Sequence, residues 1–198
     1  MEFEWDETKA ASNLVKHGVA FNDAAAAFQD VFALHIADRT MDCGEERFVM
    51  IGMLDGIVYY VAYVEHGERI RVISARRATR PEHRPMIEID RDREQRLRAV
   101  KEMSDEDVMA RALADPDAQP WTDEQLASAR RVPRAKIIRR TLGLTQEEFS
   151  ERYHIPLGTL RDWEQGRTEP DQASQAFLQV IAMEPEIVSR ALTPRSAA

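Results

Sequence analysis

The chain has 198 residues, 43% hydrophobic and 31% charged, and its 27 basic and 35 acidic side chains give a net charge of −8. This composition excludes a disordered chain and predicts one or two folded domains. The single cysteine, Cys43, excludes an internal disulfide. The sequence shows neither a signal peptide nor a run of about 20 apolar residues, so we expect a cytoplasmic protein without a membrane partner.

The charges are distributed in blocks along the chain. Residues 69–101 hold eleven Lys or Arg against five Asp or Glu, whereas residues 104–124 hold one Arg against seven acids. A second basic block at residues 130–140 has six basic side chains and no acid. Because local charge matters more than net charge for nucleic-acid binding, DNA and RNA stay open as partners.

The beginning of the sequence predicts a strand followed by a helix. Residues Phe3–Trp5 fit a short strand, Asp6 is a favourable N-cap, and the helix runs to about His17 before Gly18 ends it. Four polar side chains recur at helical spacing on one face of this helix: Lys9, Asn13, Lys16 and His17. The pattern therefore predicts that the apolar residues on other faces pack toward the core, namely Ala10, Ala11 and Leu14.

The next elements predict a small antiparallel sheet. Asn22 is the expected cap of a second short helix that ends at Phe28. Three strand-like runs follow, separated by two-residue hairpin signals: Arg47–Leu54, Ile57–Glu65 and Arg69–Ala75. A long charged helix from about Arg80 or Pro81 to Lys101 is expected to close an α+β domain.

The last of these strands predicts a cationic surface beside a packed core. Strict alternation places Ile70, Val72, Ser74 and Arg76 on one face, and Arg69, Arg71, Ile73 and Ala75 on the other. Arginine pairs with phosphate oxygens through its planar fork, so Arg71 and Arg76 are the first candidates to hold a phosphate group. Lys16 and His17 are the next candidates, since His17 can exchange protons near neutral pH.

The second half of the sequence predicts an all-α region. Short helices are expected at Asp105–Ala114 and Thr122–Ala129, on either side of a proline-containing turn, and about five more follow from Val132. The stretch "LGLTQEEFSERYHIPLGTLRDWEQGRTEPD", residues 142–171, has a capping box from Thr145 to Glu148 and two apolar stripes with a short turn between them. This pattern is typical of a helix-turn-helix, whose second helix lies in the DNA major groove.

These residues resemble the Xre/Cro-type helix-turn-helix of phage repressors and antitoxins, with one departure, since His154 stands where the family usually has glycine. The resemblance implies operator DNA as a partner and a homodimer or a higher even oligomer, because one recognition helix reads only a half-site. Arg161 is the expected base reader. The other predicted DNA contacts are Gln146, Leu157, Gly158, Thr159 and Arg167, with Arg139 and Arg140 as further phosphate candidates.

Three blocks of the first half resemble the BrnT toxins, small ribonucleases with a fold like the RelE toxins: "FEWDETKAASNLVKHGVAF", "ERFVMIG" and "RIRVISARRAT". The similarity spans residues 2–84 and implies a metal-independent endoribonuclease with RNA as substrate and Arg71, Arg76, Lys16 and His17 as site residues. The five histidines and Cys43 show no zinc-ligand spacing, and no cofactor is predicted. The stretch from Met103 reads like the start of a separate antitoxin, so residues 103–192 resemble an antitoxin joined to the toxin.

The sequence thus predicts three parts: a BrnT-like domain at 1–92, a charged segment at 93–130 and a helix-turn-helix domain at 131–198. Two functions stay open at this point. The chain is either a toxin–antitoxin fusion that restrains and autoregulates itself, or a DNA-binding regulator with an inactive toxin-like domain. The acidic stretch at 104–124 is either a solvated linker or a cover over the arginine site, anchored by Val108, Leu113 and Trp121.

Overall fold

The computed structural model describes residues 1–38, 45–66, 69–83, 104–129, 131–132 and 134–193. The chain divides into two compact units, Met1–Arg131 and Val132–Ala198. The first unit is α+β and the second is all-α. The first unit therefore includes the acidic stretch, whereas most of the predicted helix between Arg80 and Lys101 lies outside the described residues, which show only its first turn at 80–83.

A single mixed sheet forms the centre of the first unit. Its described strands are β1 (Glu2–Glu4), β2 (Leu34–Asp38), β3 (Arg47–Leu54), β4 (Ile57–His66) and β5 (Arg69–Arg77). Their order is β1-β5-β4-β3-β2, with β1 parallel to β5 and the other neighbours antiparallel. The sequence predicts the central meander from its hairpin turns, but β2 has no such turn and was not predicted.

Different parts of the chain cover the two faces of this sheet. The helices α1 (Glu7–His17) and α2 (Phe21–Ala27) pack on one side. On the other side, Trp121 and Leu126 share a core cluster with residues of β2, β3 and β4, such as Ile36 and Tyr60. Trp121 belongs to the acidic stretch, which also contains α3 (Asp105–Leu113), and Leu126 belongs to α4 (Asp123–Ser128), which begins within the stretch and continues beyond it. The acidic stretch is therefore part of the first unit's core.

The caps of α1 agree with the sequence, but the face that it buries does not. Asp6 accepts a hydrogen bond from the backbone N–H of Lys9, and Gly18 has the left-handed backbone that ends the helix. However, Asn13 and His17 are buried, whereas Leu14 is 51% exposed. The prediction that apolar residues of α1 face the core was wrong, because this helix packs against polar groups of the strand beside it.

Two further local predictions were wrong. Asn22 does not cap α2, since Ala20 occupies the N-cap position and makes no side-chain bond. The strict alternation along β5 also fails, because a β-bulge shifts its pairing with β4: Ala62 pairs with Ser74 but Tyr63 pairs with Val72. The extra residue moves Arg76 to the face of Tyr60, where its guanidinium stacks 3.8 Å from the ring centroid.

The second unit consists of helices in its described residues. They are α5 (Arg134–Thr141), α6 (Gln146–Tyr153), α7 (Leu157–Glu164), α8 (Gln172–Met183) and α9 (Pro185–Leu192). Thr145 and Glu148 form the predicted capping box at the start of α6, and His154 ends that helix in the left-handed region, with φ 53°. Phe149, Leu160 and Trp163 are buried, which confirms the apolar core of the helix-turn-helix.

Candidate functional site

The second half of β5 has α1 rather than a strand as its outer neighbour. Strand β1 pairs only with residues 69–71. Beyond it, the side-chain amide of Asn13 donates to the C=O of Ala75 at 2.7 Å and accepts from its N–H at 3.0 Å. The amide thus replaces a missing strand, because buried backbone groups need partners. This contact fixes the polar face of α1 against the edge of β5.

The carboxylate of Asp115 lies buried on this polar face. Its Oδ2 lies 2.8 Å from Nε2 of His17 and accepts the hydroxyl proton of Ser74 at 2.7 Å. Its Oδ1 lies 3.5 Å from Nζ of Lys16 and accepts the backbone N–H of Asp117 at 3.1 Å. Two of the predicted catalytic residues, the consecutive Lys16 and His17, therefore contact the same carboxylate from the acidic stretch.

The same contacts determine the charge state of Asp115. Burial on its own raises the pKa of a carboxyl group, because it disfavours the charged form. Here the hydrogen bonds from His17, Ser74 and the backbone of Asp117, with Lys16 nearby, more than offset burial and hold the pKa of Asp115 well below its usual range. The group is a carboxylate at neutral pH.

A second carboxylate, that of Asp117, lies in an adjacent cleft lined by three cations and three carboxylates. Its Oδ2 lies 3.3 Å from Nζ of Lys9 and its Oδ1 lies 3.5 Å from Nη2 of Arg47, which also donates to the carbonyl of Asp117. The cleft has a volume of about 290 Å³. It is lined by Asp6, Lys9, Glu45, Arg47, Val64, Arg71, Val72, Ile73 and Asp117.

The predicted phosphate ligands Arg71 and Arg76 lie in different surroundings. Arg71 lines the cleft, is 39% exposed at its side chain and pairs with Glu45. Arg76 is buried and uses all five of its N–H groups: two bond Glu82, and the others bond the carbonyls of Arg77, Ala118 and Gln119. Its guanidinium is therefore fully occupied while the acidic stretch is in place.

Three residues of this site were not found from the sequence: Arg47, Asp115 and Asp117. The Asp-Pro-Asp sequence reads locally as a turn, and nothing in it signals two carboxylates that face a helix about 100 residues earlier. The anchors of the acidic stretch were predicted in part, since Val108 and Trp121 are buried whereas Leu113 is 60% exposed. The prediction for Leu113 was wrong because it lies at the end of α3 and faces solvent.

The second unit presents a polar network at the start of α6 and along α7. Arg161, 47% exposed at its side chain, donates to Glu147 at 2.8 Å and to Oε1 of Gln146 at 3.3 Å. Gln146 in turn donates to Glu164 at 2.8 Å. These bonds hold the side chains of Arg161 and Gln146 side by side.

The other predicted DNA contacts differ in exposure. Gly158, Thr159 and Arg167 are exposed, and Leu157 is half-buried. Arg139 is buried in an ion pair with Glu164, at 2.6 and 3.0 Å, so its prediction as a phosphate contact was wrong. Arg140 is half-buried.

Two features are absent from the described residues, a metal-binding group of side chains and a membrane-spanning helix. Among them, no group of three or more His, Cys, Asp or Glu side chains is arranged to hold a metal ion. None of the helices in this described part of the chain is long and apolar enough to span a membrane.

Comparison with known families matches each unit separately. Residues 5–82 match the family model of the BrnT ribonuclease toxin of type II toxin–antitoxin systems, and residues 136–174 match a helix-turn-helix model. The chain joins a BrnT domain to an Xre-type helix-turn-helix domain. A solved structure described as an HTH XRE-family like protein from Agrobacterium tumefaciens is 72% identical, over 30% of this chain and 97% of its own, with a TM-score of 0.30. No curated protein matches the chain.

The matched ranges show which parts of the site belong to the BrnT domain and which do not. The polar face of α1 and the whole of β5 lie within the BrnT match, whereas Asp115 and Asp117 lie after it. The network around Arg161 lies within the helix-turn-helix match. A segment that belongs to neither match therefore provides the carboxylates that contact the BrnT domain.

Proposed function

We propose that this chain is a toxin–antitoxin fusion, in which the BrnT domain is a metal-independent endoribonuclease restrained by residues 104–129 and the helix-turn-helix domain represses transcription. The observation that carries the proposal is the position of Asp115, which contacts Lys16, His17 and Ser74 of the BrnT domain. A free toxin would expose these groups to RNA. The proposed partners are operator DNA and an RNA substrate, and the proposed location is the cytoplasm.

The groups beside the acidic stretch offer a titratable ring and several cations, which are part of what metal-free RNA cleavage requires. A base removes the proton of the 2′-hydroxyl, whose oxygen attacks phosphorus while the bond to the 5′-oxygen breaks, and an acid protonates that leaving oxygen. His17 is the proposed proton carrier. Lys16 and Arg71 would neutralise the charge that builds up on the phosphate oxygens, and Arg76 would join them once the carbonyls of residues 118 and 119 have left.

Apolar contacts also support restraint. Trp121 is 7% exposed and shares its cluster with β2, β3 and β4. Its backbone N–H also donates to Glu82, the partner of Arg76. Burial of a tryptophan side chain contributes a few kcal/mol, about the cost of exposing it again. Docking of the acidic stretch thus depends on Trp121 together with the two carboxylates.

The test compares RNA cleavage by the full chain and by a Trp121→Asp variant, which places a charge in the apolar cluster and should release the stretch. Leu113→Asp is the matched control, because Leu113 belongs to the same segment but is exposed. We expect Trp121→Asp alone to increase cleavage, with secondary structure and DNA binding retained. If no variant cleaves RNA while all bind DNA, the chain is a regulator whose BrnT domain is inactive.

The proposed repressor activity rests on the exposed surface of α7. Gly158, Thr159 and Arg161 are exposed on this helix, whose apolar residues Leu160 and Trp163 face the core. One such helix reads a half-site, so we propose that a homodimer or a higher even oligomer binds a two-fold symmetric operator. Footprinting on the DNA upstream of the chain's own gene tests autoregulation, and protection of a single asymmetric half-site would contradict the dimer.

A further inference from the structure

The Asp115–Pro116–Asp117 turn places two carboxylates on cations of the BrnT domain. Asp115 contacts Lys16 and His17 near the C-terminus of α1, and Asp117 contacts Lys9 near its N-terminus. Lys9 and Lys16 lie seven residues apart on one face of the helix, so the turn runs alongside two helical turns of α1. The turn thus offers two anions, in sequence, to a row of cations.

Arg47 makes the buried contact between the cleft and the Asp115–Pro116–Asp117 turn. The Arg47 side chain is 5% exposed, and its Nη2 contacts both the carboxylate and the carbonyl of Asp117. A buried charge that loses its partner costs several kcal/mol unless another charge replaces it. When the acidic stretch leaves, Arg47 loses its contacts to Asp117, and another anion in the cleft would replace them.

A phosphate group suits this position in the cleft. Arginine pairs with a phosphate through two parallel N–H···O bonds, as it does with a carboxylate. The cleft volume of about 290 Å³ lies near the lower end of the range for small-ligand pockets. With Asp117 removed, the lining keeps Lys9, Arg47 and Arg71 against Asp6, whose carboxylate already caps α1, and Glu45, which pairs with Arg71.

We infer that the Asp115–Pro116–Asp117 turn mimics two backbone phosphates of single-stranded RNA, and that Lys9 and Arg47 form a phosphate-binding subsite next to Lys16 and His17. The inference rests on the proposed ribonuclease function and adds the position of the substrate strand along α1. Lys9 and Arg47 are binding residues in this scheme, because they contact Asp117 and not the group proposed to carry the proton. Restraint then follows from direct competition between carboxylate and phosphate for the same cations.

The experiment measures binding of the full chain to a fluorescent 2′-O-methyl RNA oligonucleotide, which cannot be cleaved. The test variant is Asp115→Asn with Asp117→Asn. The matched control is Glu106→Gln with Glu124→Gln, which removes two exposed carboxylates of the same stretch. The helix-turn-helix domain is unchanged throughout, so its own affinity for RNA cancels in the comparison.

We expect the test variant to bind about tenfold more tightly than the wild type and the control, because charge-assisted contacts to phosphate replace those to carboxylate. Adding Lys9→Ala should reverse most of this gain. It should also lower the slope of log affinity against log salt by about 0.7, the value for one phosphate contact on a single strand. Asp117→Asn alone, at a partly exposed side chain, gives a smaller gain should the double variant fold poorly.

Equal affinity in the wild type and the test variant would overturn the inference, as would an equal gain in the control or no effect of Lys9→Ala. These outcomes are distinct from failure of the ribonuclease proposal. If binding changes as expected but natural RNA stays uncut in every variant, the phosphate subsite stands and the ribonuclease activity does not. If Trp121→Asp increases RNA cleavage but replacing Asp115 and Asp117 leaves the affinity for the oligonucleotide unchanged, only the proposed phosphate mimicry is wrong.

Discussion

The guanidinium of Arg76 and the carboxylate of Glu82 form a bidentate ion pair. Both N–O distances are 2.8 Å, and both side chains are at most 2% exposed. Glu82 also accepts the backbone N–H groups of Thr79 and Trp121. The pair therefore joins β5, the residues that follow it and the acidic stretch. Its burial makes it a determinant of stability as well as a candidate part of the site.

Replacing Glu82 by Gln should destabilise the first unit by about 3–5 kcal/mol, because the buried Arg76 loses its counter-charge. The exposed pair of Arg69 and Glu2 provides the control, and Glu2→Gln should change stability by about 0–1 kcal/mol. Urea unfolding measures both values, followed by tryptophan fluorescence in a Trp163→Phe background that reports only the first unit. Similar losses in the two variants would contradict the structural role of Glu82.

The first unit should lose stability in acid because of Asp115. Its pKa is lowered in the folded state, so the unfolded chain takes up a proton first, at a pKa of about 3.9. The stabilisation is complete above that pH and is lost as the pH falls below about 4 toward the folded pKa. Asp115→Asn should flatten this part of the profile, measured by urea unfolding from neutral pH to acid. An unchanged slope would assign the acid sensitivity to other carboxylates.

The edge of β5 should open when Asn13 is replaced by Ala. Both backbone groups of Ala75 lose their partner, and a buried unsatisfied polar group costs about 1–3 kcal/mol. Hydrogen exchange at the Ala75 amide should therefore accelerate strongly. Asn22→Ala is the control, since Asn22 is exposed on α2. Equal protection of Ala75 in both variants would show that Asn13 does not hold this edge.

The second unit should gain stability from His154→Gly. His154 has φ 53°, a left-handed backbone that costs a non-glycine residue about 1–2 kcal/mol. Glycine avoids this cost but loses more conformational entropy when the chain folds, which offsets part of the gain. We expect a net gain of about 0.5–1 kcal/mol. Gly143, with φ 68° and open space around it, is the reciprocal site, so Gly143→Ala should lose stability. Thermal unfolding followed at Trp163 checks both, and a loss with His154→Gly would contradict the argument.

Arg161→Ala should weaken operator binding by about 1–3 kcal/mol and relax the preference at one base position. Arg161 is exposed and is held by Glu147 and Gln146, which orients it without burying it. Arg167→Ala should weaken binding about equally on every sequence, as expected for a phosphate contact. Selection from a random DNA library followed by anisotropy measures both. Equal losses with Arg161→Ala on operator and random DNA would make it a phosphate contact too.

The sequence by itself determined the elements whose signals are local. The N-cap at Asp6, the stop at Gly18, the hairpin turns of the central strands and the capping box at Thr145 each depend on residues a few positions apart. The helix-turn-helix was predictable for the same reason, including the strained position of His154. These features follow from backbone hydrogen bonding and short-range packing, which a linear sequence records directly.

Only the tertiary structure decided which groups meet across the chain. The face of α1 with Asn13 and His17 is polar in sequence, yet it is buried, because Asn13 bonds the edge of β5 and His17 contacts Asp115. Asp115 is 98 residues away from His17 in the sequence. A single bulge in β5 moved Arg76 to the other face of the sheet, against Tyr60. Neither contact has a local signal, because each depends on the register of a strand and on the free energy of burying charges together.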